Sequence, residues 1–186
     1  MIHYISPERL TIQRVGEIIE NKLKIALSDE AVSRITRCRQ YLDDKISECD
    51  HPIYGITTGF GSLCNISIDS QDLSKLQENL VKSHACGCGE KVDPQIVKIM
   101  LLTKIMSLSF GNSGVQLSTV QRLVDFFNDD ILPVIYQLGS LGASGDLAPL
   151  ANMCLPLLGL GEVLYKGEIR PAAEVLAEKG WQPVRL

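Results

Sequence analysis

The chain has 186 residues, 45% of them hydrophobic and 22% charged, with a formal net charge of −4 at pH 7. That length suits one unit with a real core, and an acidic balance without a Lys/Arg cluster among aromatics argues against a nucleic-acid partner. A mean hydropathy of +0.11 is high for a soluble chain and points to apolar surface turned toward a partner.

In chain order, MIHYISPERL has neither the basic start nor the apolar core of a secretion signal, and residues 3–10 read as extended. Thr11 is placed to cap a helix that turns Val15, Ile18 and Ile19 inward. LKIALSD gives a short apolar stretch whose Ser28-Asp29 end caps a second helix, with Val32, Ile35, Tyr41, Leu42 and Ile46 at helical spacing. YGITTGFGSLCN (54–65) breaks the pattern: three glycines, two threonines and no charge demand special backbone angles. Tyr54, Ile56, Phe60 and Leu63 offer apolar anchors for an ordered loop. A third helix, from about Gln71, spaces Leu73, Leu76, Leu80 and His84 three or four apart, so that His84 shares a buried stripe. GCGEK ends it.

Asp93-Pro94 then opens a long helix to about Phe110, as cap plus proline in the first turn. After GNSG, residues 115–127 continue helically with Val120, Leu123, Val124 and Phe127 on one face. Asp146 is placed to cap a helix from Leu147, with Pro149 tolerated in its first turn. EVLYKGEIR reads as a hairpin about Lys166-Gly167, and 171–179 as a last short helix. The fold class is mainly α, with small extended segments and one hairpin. The apolar stretches 96–108 and 147–160 are interrupted by Lys104, Ser107, Asn152 or Pro156, so no membrane span is expected. Six cysteines (38, 49, 64, 86, 88 and 154) are too sparse for a disulfide framework; with the plain N-terminus they predict reduced thiols and a cytoplasmic location. His84, Cys86 and Cys88 are not expected to hold metal, because a single residue between the cysteines is atypical of zinc sites.

LGSLGASGDLAPLANM (138–153) is the segment with most to explain. Gly-Ala-Ser-Gly-Asp is compatible with an ordinary turn ahead of a capped helix. It is also compatible with backbone chemistry. Attack of the Gly145 amide nitrogen on the Ala143 carbonyl carbon closes a five-membered ring across Ser144. Loss of one water after closure, and of the Ser144 hydroxyl as a second, leaves a methylidene conjugated with the ring, an electrophile that no ordinary side chain supplies. Gly142 and Gly145 bracket the pair with permissive backbone, and glycine enters strained angles cheaply. Asp146 stands beside the ring to help move protons, and the helix N-terminus behind it favours negative charge.

GSLGASGDLAPLAN resembles the signature of the aromatic amino acid lyase family. YGITTGFG at 54–61 is similar to the family's second signature and LQENLVKSHACGCG at 76–89 to a third, in matching order across nearly the whole chain. The resemblance implies the N-terminal part of the ammonia-lyase fold. It divides the chain into an N-terminal helical domain with the Tyr54 loop (1–110) and the start of a central helical domain with the reactive loop (111–186). It implies that Ala143, Ser144 and Gly145 cyclise unaided to 4-methylidene-imidazol-5-one (MIO), supported by Gly142 and Asp146. Tyr54 would help remove a substrate β-proton, which a phenol of pKa about 10 does near neutrality only with its phenolate stabilised. His84 would touch the substrate ring. The run Ser83-His84-Ala85 is similar to histidine-specific members, since one imidazole can hydrogen-bond another.

The implied reaction is L-histidine to urocanate plus ammonia, a carbon–nitrogen lyase step of histidine catabolism. A tyrosine or phenylalanine lyase or an aminomutase is the alternative within the family; a non-catalytic helical oligomerisation module is the alternative of another class. Lys104 stands where the family leads one to expect arginine, Tyr136 where proline is common and Asn152 where histidine is common; none of them touches the 143–145 triplet. Family members continue for several hundred residues beyond the point matching WQPVRL, supply an asparagine, a glutamine, a second tyrosine, an arginine and a glutamate from that part, and form homotetramers with shared active sites. The 186-residue chain is therefore expected to be truncated and, alone, to have little or no lyase activity.

Overall fold

A computed structural model describes residues 1–48, 51–61, 64, 66, 68 and 72–186. The chain begins as a strand, β1 (Ile2–Ile5), which pairs in parallel with β2 (Lys24–Leu27), Ile2 opposite Lys24 and Ile5 opposite Leu27. The crossover between them is α1 (Ile12–Glu20), where the Thr11 hydroxyl accepts from the Arg14 amide at 3.2 Å, as expected. The Asn128 carboxamide braces β2 from outside, accepting from the Ile25 amide and donating to its carbonyl, each at 2.8 Å.

α2 (Asp29–Glu48) starts under the Ser28 hydroxyl, which accepts from the Ala31 amide at 3.2 Å. Its buried residues, Ala31 and Ile35, lie in the first two turns. Tyr41 does not join them: it is 68% exposed, because the second half of α2 has only half-buried apolar positions such as Leu42 and Ile46.

The interior is organised by α4 (Pro94–Ser109), entered through the Asp93 carboxylate accepting from the Gln95 amide at 2.8 Å. This helix is apolar on most of its faces, the composition of a helix enclosed by neighbours. Val97, Leu101, Leu102, Ile105 and Leu108 are all buried. They meet α5 (Leu117–Asn128), whose Val120, Leu123, Val124 and Phe127 are buried as their spacing predicts, together with Phe126. One continuous core joins these side chains to Ile5, Ile18, Ile25 and Ile35 on one side and Val163, Val175 and Leu176 on the other, so residues from both sides of position 110 share it.

A three-stranded antiparallel sheet of order β4 (Leu132–Pro133), β6 (Glu162–Tyr165), β7 (Glu168–Pro171) covers one end. The β6–β7 connection is the expected hairpin, with Lys166 at φ 54° and Gly167 at φ 84°, the two positive angles a tight twisted turn requires. α7 (Ala172–Glu178) follows.

Next to this sheet, β3 (Cys88–Lys91) pairs antiparallel with β5 (Tyr136–Leu138), and α3 (Leu73–His84) packs on α6 (Leu147–Cys154). The expected buried stripe of α3 is not buried: Leu73, Leu76, Leu80 and His84 are each half-covered, since α6 and its extension shield only part of that face. Gln71 and Leu63 lie outside the described residues, of which no helix is long and apolar enough to cross a membrane.

Candidate active site

The site is framed by the turn from α3 into β3 on one side and β5 with the segment leading to α6 on the other. Their main chains come so close that side chains are excluded. A Cβ placed on Gly139 (φ +114°) would stand 3.0 Å from Gly87 Cα, and one on Gly87 would stand 2.7 Å from Asn152 Nδ2 and 3.1 Å from Tyr136 Cβ. Tyr136 and Asn152 thus meet on one glycine three residues after His84. With Ala85, Leu155, Gly161 and Glu162 they border a cleft of about 220 Å³. Asn152 is buried and donates to the Ala148 carbonyl at 2.9 Å.

Beyond this frame every residue of 137–147 faces solvent. Gly142–Ser144 form a tight 3-10 turn, in which the Ser144 amide and hydroxyl donate to the Leu141 carbonyl at 3.1 and 2.8 Å. The Gly145 amide turns back to the Gly142 carbonyl at 3.1 Å, with Gly145 left-handed at φ 97°. The turn folds the Gly145 amide back over 142–144, and a Cβ at Gly142 or Gly145 would meet nothing within 4 Å, so the two glycines bracketing Ala143-Ser144 stand in open space.

Asp146 behaves differently from expectation. It is left-handed (φ 56°) and makes no capping hydrogen bond to α6; instead its carboxylate accepts from the Ser140 hydroxyl at 2.7 Å. A capping side chain needs an extended backbone at its own position, and consecutive positive angles at Gly145 and Asp146 aim this carboxylate back across the turn.

Of the apolar anchors the sequence suggests for the Tyr54 loop, Ile56 is half-buried while Tyr54 and Phe60 are exposed, and polar atoms hold the loop as well. Thr58 is fully buried; its hydroxyl accepts from the Gly55 amide at 3.2 Å and donates to the Gly59 carbonyl at 2.9 Å. The Thr57 hydroxyl accepts from the Ile53 amide at 2.8 Å. Tyr54 itself is 61% exposed and Phe60 39%. The loop nevertheless reaches His84: Phe60 lies edge-on to Tyr54 with ring centroids 5.6 Å apart, and edge-on to His84 at 6.0 Å. Gln77, two helical turns before His84, donates to the Gly55 and Ile56 carbonyls at 3.4 Å each.

His84 Nδ1 is 2.7 Å from the Leu80 carbonyl, which only accepts, so Nδ1 carries a proton and in the neutral ring Nε2 keeps its lone pair. Ser83 supports the same nitrogen at 3.2 Å.

Tyr54 and His84 are therefore brought together through Phe60. The 143–145 turn stands on the same frame, with no hydrogen bond or ring contact to either among the described residues. Phe60 as a link, Gln77 and Ser140 were not legible as site residues; for Gln77 the seven-residue spacing to His84 was the available signal. Among the described residues no group of three or more His, Cys, Asp or Glu is placed to hold a metal ion, and burial pushes the Cys154 thiol upward, with Lys104 opposing.

The model of the family described as aromatic amino acid lyase matches residues 10–186. The chain belongs to that family. It is 46% identical over 177 residues to histidine ammonia-lyase of Clostridium tetani (strain Massachusetts / E88), covering 95% of this chain and 34% of that protein. Histidine ammonia-lyase from Trypanosoma cruzi superposes with a TM-score of 0.88 at 34% identity, over 100% of this chain and 36% of that one. Tyrosine aminomutase from Streptomyces globisporus superposes at 0.91 with 32% identity, over 100% and 35%. This aromatic amino acid lyase chain thus spans about a third of the length of the curated relatives it matches.

Proposed function

We propose that this chain supplies the electrophile and the ring-recognising wall of a histidine ammonia-lyase site, converting L-histidine to urocanate and ammonia. What carries the reading is the main-chain contact of Gly139 with Gly87, which seats the Ala143-Ser144-Gly145 turn on the same frame as His84. In this reading residues 1–110 contribute Tyr54 and His84, and 111–186 contribute the triplet. Closed as MIO, the triplet supplies an electrophilic methylidene that activates the substrate toward loss of ammonia. The remaining work belongs to side chains. His84, its Nδ1 proton committed to Leu80, offers Nε2 to the N–H of a substrate imidazole. Tyr54 takes the β-proton as phenolate, with Gln77 holding the main chain directly after it through the Gly55 and Ile56 carbonyls. Asp146, held by Ser140, stands beside the triplet to accept and return protons during closure.

The exposure of Tyr54 and of 137–147 leaves this side of the site open to water. A phenolate base and a reactive methylidene both need water excluded, so the reading includes a covering surface, given by further chain or by other copies in a homotetramer. The 186 residues by themselves should show little or no turnover.

The likeness to tyrosine aminomutase favours one second reading, the same machinery acting on L-tyrosine. Intact mass tests the common part: the protein should weigh two waters less than its translated sequence, and Ser144→Ala should weigh its full translated value. A wild-type mass with the Ser144 hydroxyl still present overturns both readings. Spectroscopic titration with L-histidine and L-tyrosine then separates them.

A further inference from the structure

We propose that Phe60 is a positioning residue that couples Tyr54 to His84, making the proton-removing loop and the ring-recognising helix a single mechanical unit. The inference rests on the reading that these two residues serve one substrate. Phe60 is 39% exposed and stands outside the buried core, so core packing does not explain its place. Among the described residues its aromatic partners are the two proposed site residues, edge-on in both cases, at interplanar angles of 61° and 82°. Aromatic rings favour this arrangement because the positive edge of one meets the negative face of another.

The backbone is cut to fit the same ring. A Cβ on Gly55, the residue after Tyr54, would stand 2.8 Å from Phe60 Cε1, and Gly55 is left-handed at φ +71°. The ring therefore rests on bare main chain directly beside Tyr54. Gln77 of α3 also donates to the Gly55 carbonyl at 3.4 Å. Loop and helix are thus tied at one point by two independent contacts, and α3 carries His84 two turns further on.

Proton NMR of the three histidines in the 186-residue chain tests this, with His84→Gln assigning the His84 signal. In the wild type, Tyr54→Ala should shift the His84 ring resonances, because the loss is transmitted through Phe60. In a Phe60→Leu background the same Tyr54→Ala change should leave His84 unmoved, and Phe60→Tyr should restore the response. Gly55→Ala keeps the phenylalanine but drives its ring off the loop, so it should also abolish the response, with the melting temperature reporting that each variant is folded. A His84 signal that answers Tyr54→Ala equally with and without Phe60, or not at all in the wild type, overturns the proposal. The parent reading fails separately, by mass: a working link in a chain whose Ser144 keeps its hydroxyl leaves the coupling standing and removes the lyase role.

Discussion

The α4–α5 interior and the rim bearing Tyr54, His84 and Ser144 are built on opposite terms. Inside, Leu101, Leu102, Ile105, Val120 and Phe126 have no exposed surface, and Phe126 stacks on Trp181 with centroids 6.3 Å apart. On the rim the tyrosine and the whole 137–147 segment lie in solvent. Burial of large apolar side chains, each stabilising by about 1.5–3 kcal/mol, holds the shape. The rim contributes little to stability and takes its geometry from main-chain contacts and a few hydrogen bonds. Stability and the proposed chemistry therefore fall on different residues, and substitutions should separate them.

The largest effect is expected inside. Phe126→Ala should cost about 3–5 kcal/mol, read from urea denaturation; a loss below about 1 kcal/mol would erase the contrast. Gly139→Ala comes next, because it sits where the two regions join. Its left-handed angle and the 3.0 Å approach to Gly87 Cα should cost about 1–3 kcal/mol and displace the His84 resonances. Intact resonances in a folded variant would show that the frame does not couple the two sides.

Ser144→Ala should be nearly silent in stability, within about 0.5 kcal/mol, since the hydroxyl donates only to Leu141 on an exposed turn. It should nevertheless abolish the mass deficit of ring formation. A large stability loss there would mean that the rim does structural work after all.

The smallest effect lies on the surface, away from both regions. Lys166 and Arg170 hydrogen-bond Glu178 at 2.7 and 2.6 Å and hold its carboxyl at about 2, against an ordinary 4.5. A depressed folded value means that the contribution is complete above 4.5 and fades as pH falls toward 2. The difference in urea midpoint between wild type and Glu178→Gln should thus be small at neutral pH and close on acidification; a gap that widens contradicts the assignment.

Much of the fold was legible because local rules and packing agree. Thr11, Ser28 and Asp93 cap as their chemistry requires, the Lys166-Gly167 turn has the angles its residues favour, and the α5 stripe is buried where its spacing puts it. The α3 stripe failed because periodicity reports which face is apolar, not whether anything covers it. Asp146 failed as a cap because the rule presumes an extended backbone, and here the preceding glycine carries the chain left-handed into the aspartate. Of the proposed site, Tyr54, His84 and the Ala-Ser-Gly triplet are assigned from motifs, whereas Phe60 and Gln77 meet this region through contacts between segments, which no single stretch of sequence displays.

The touching backbones at Gly87 and Gly139 carry an evolutionary consequence. Neither glycine has a side chain to resize, and the groups that meet Gly87 are the side chains of Tyr136 and Asn152. Under the proposed reading, a change of substrate preference must come from groups that project around this joint, because a side chain on either glycine collides with its neighbours.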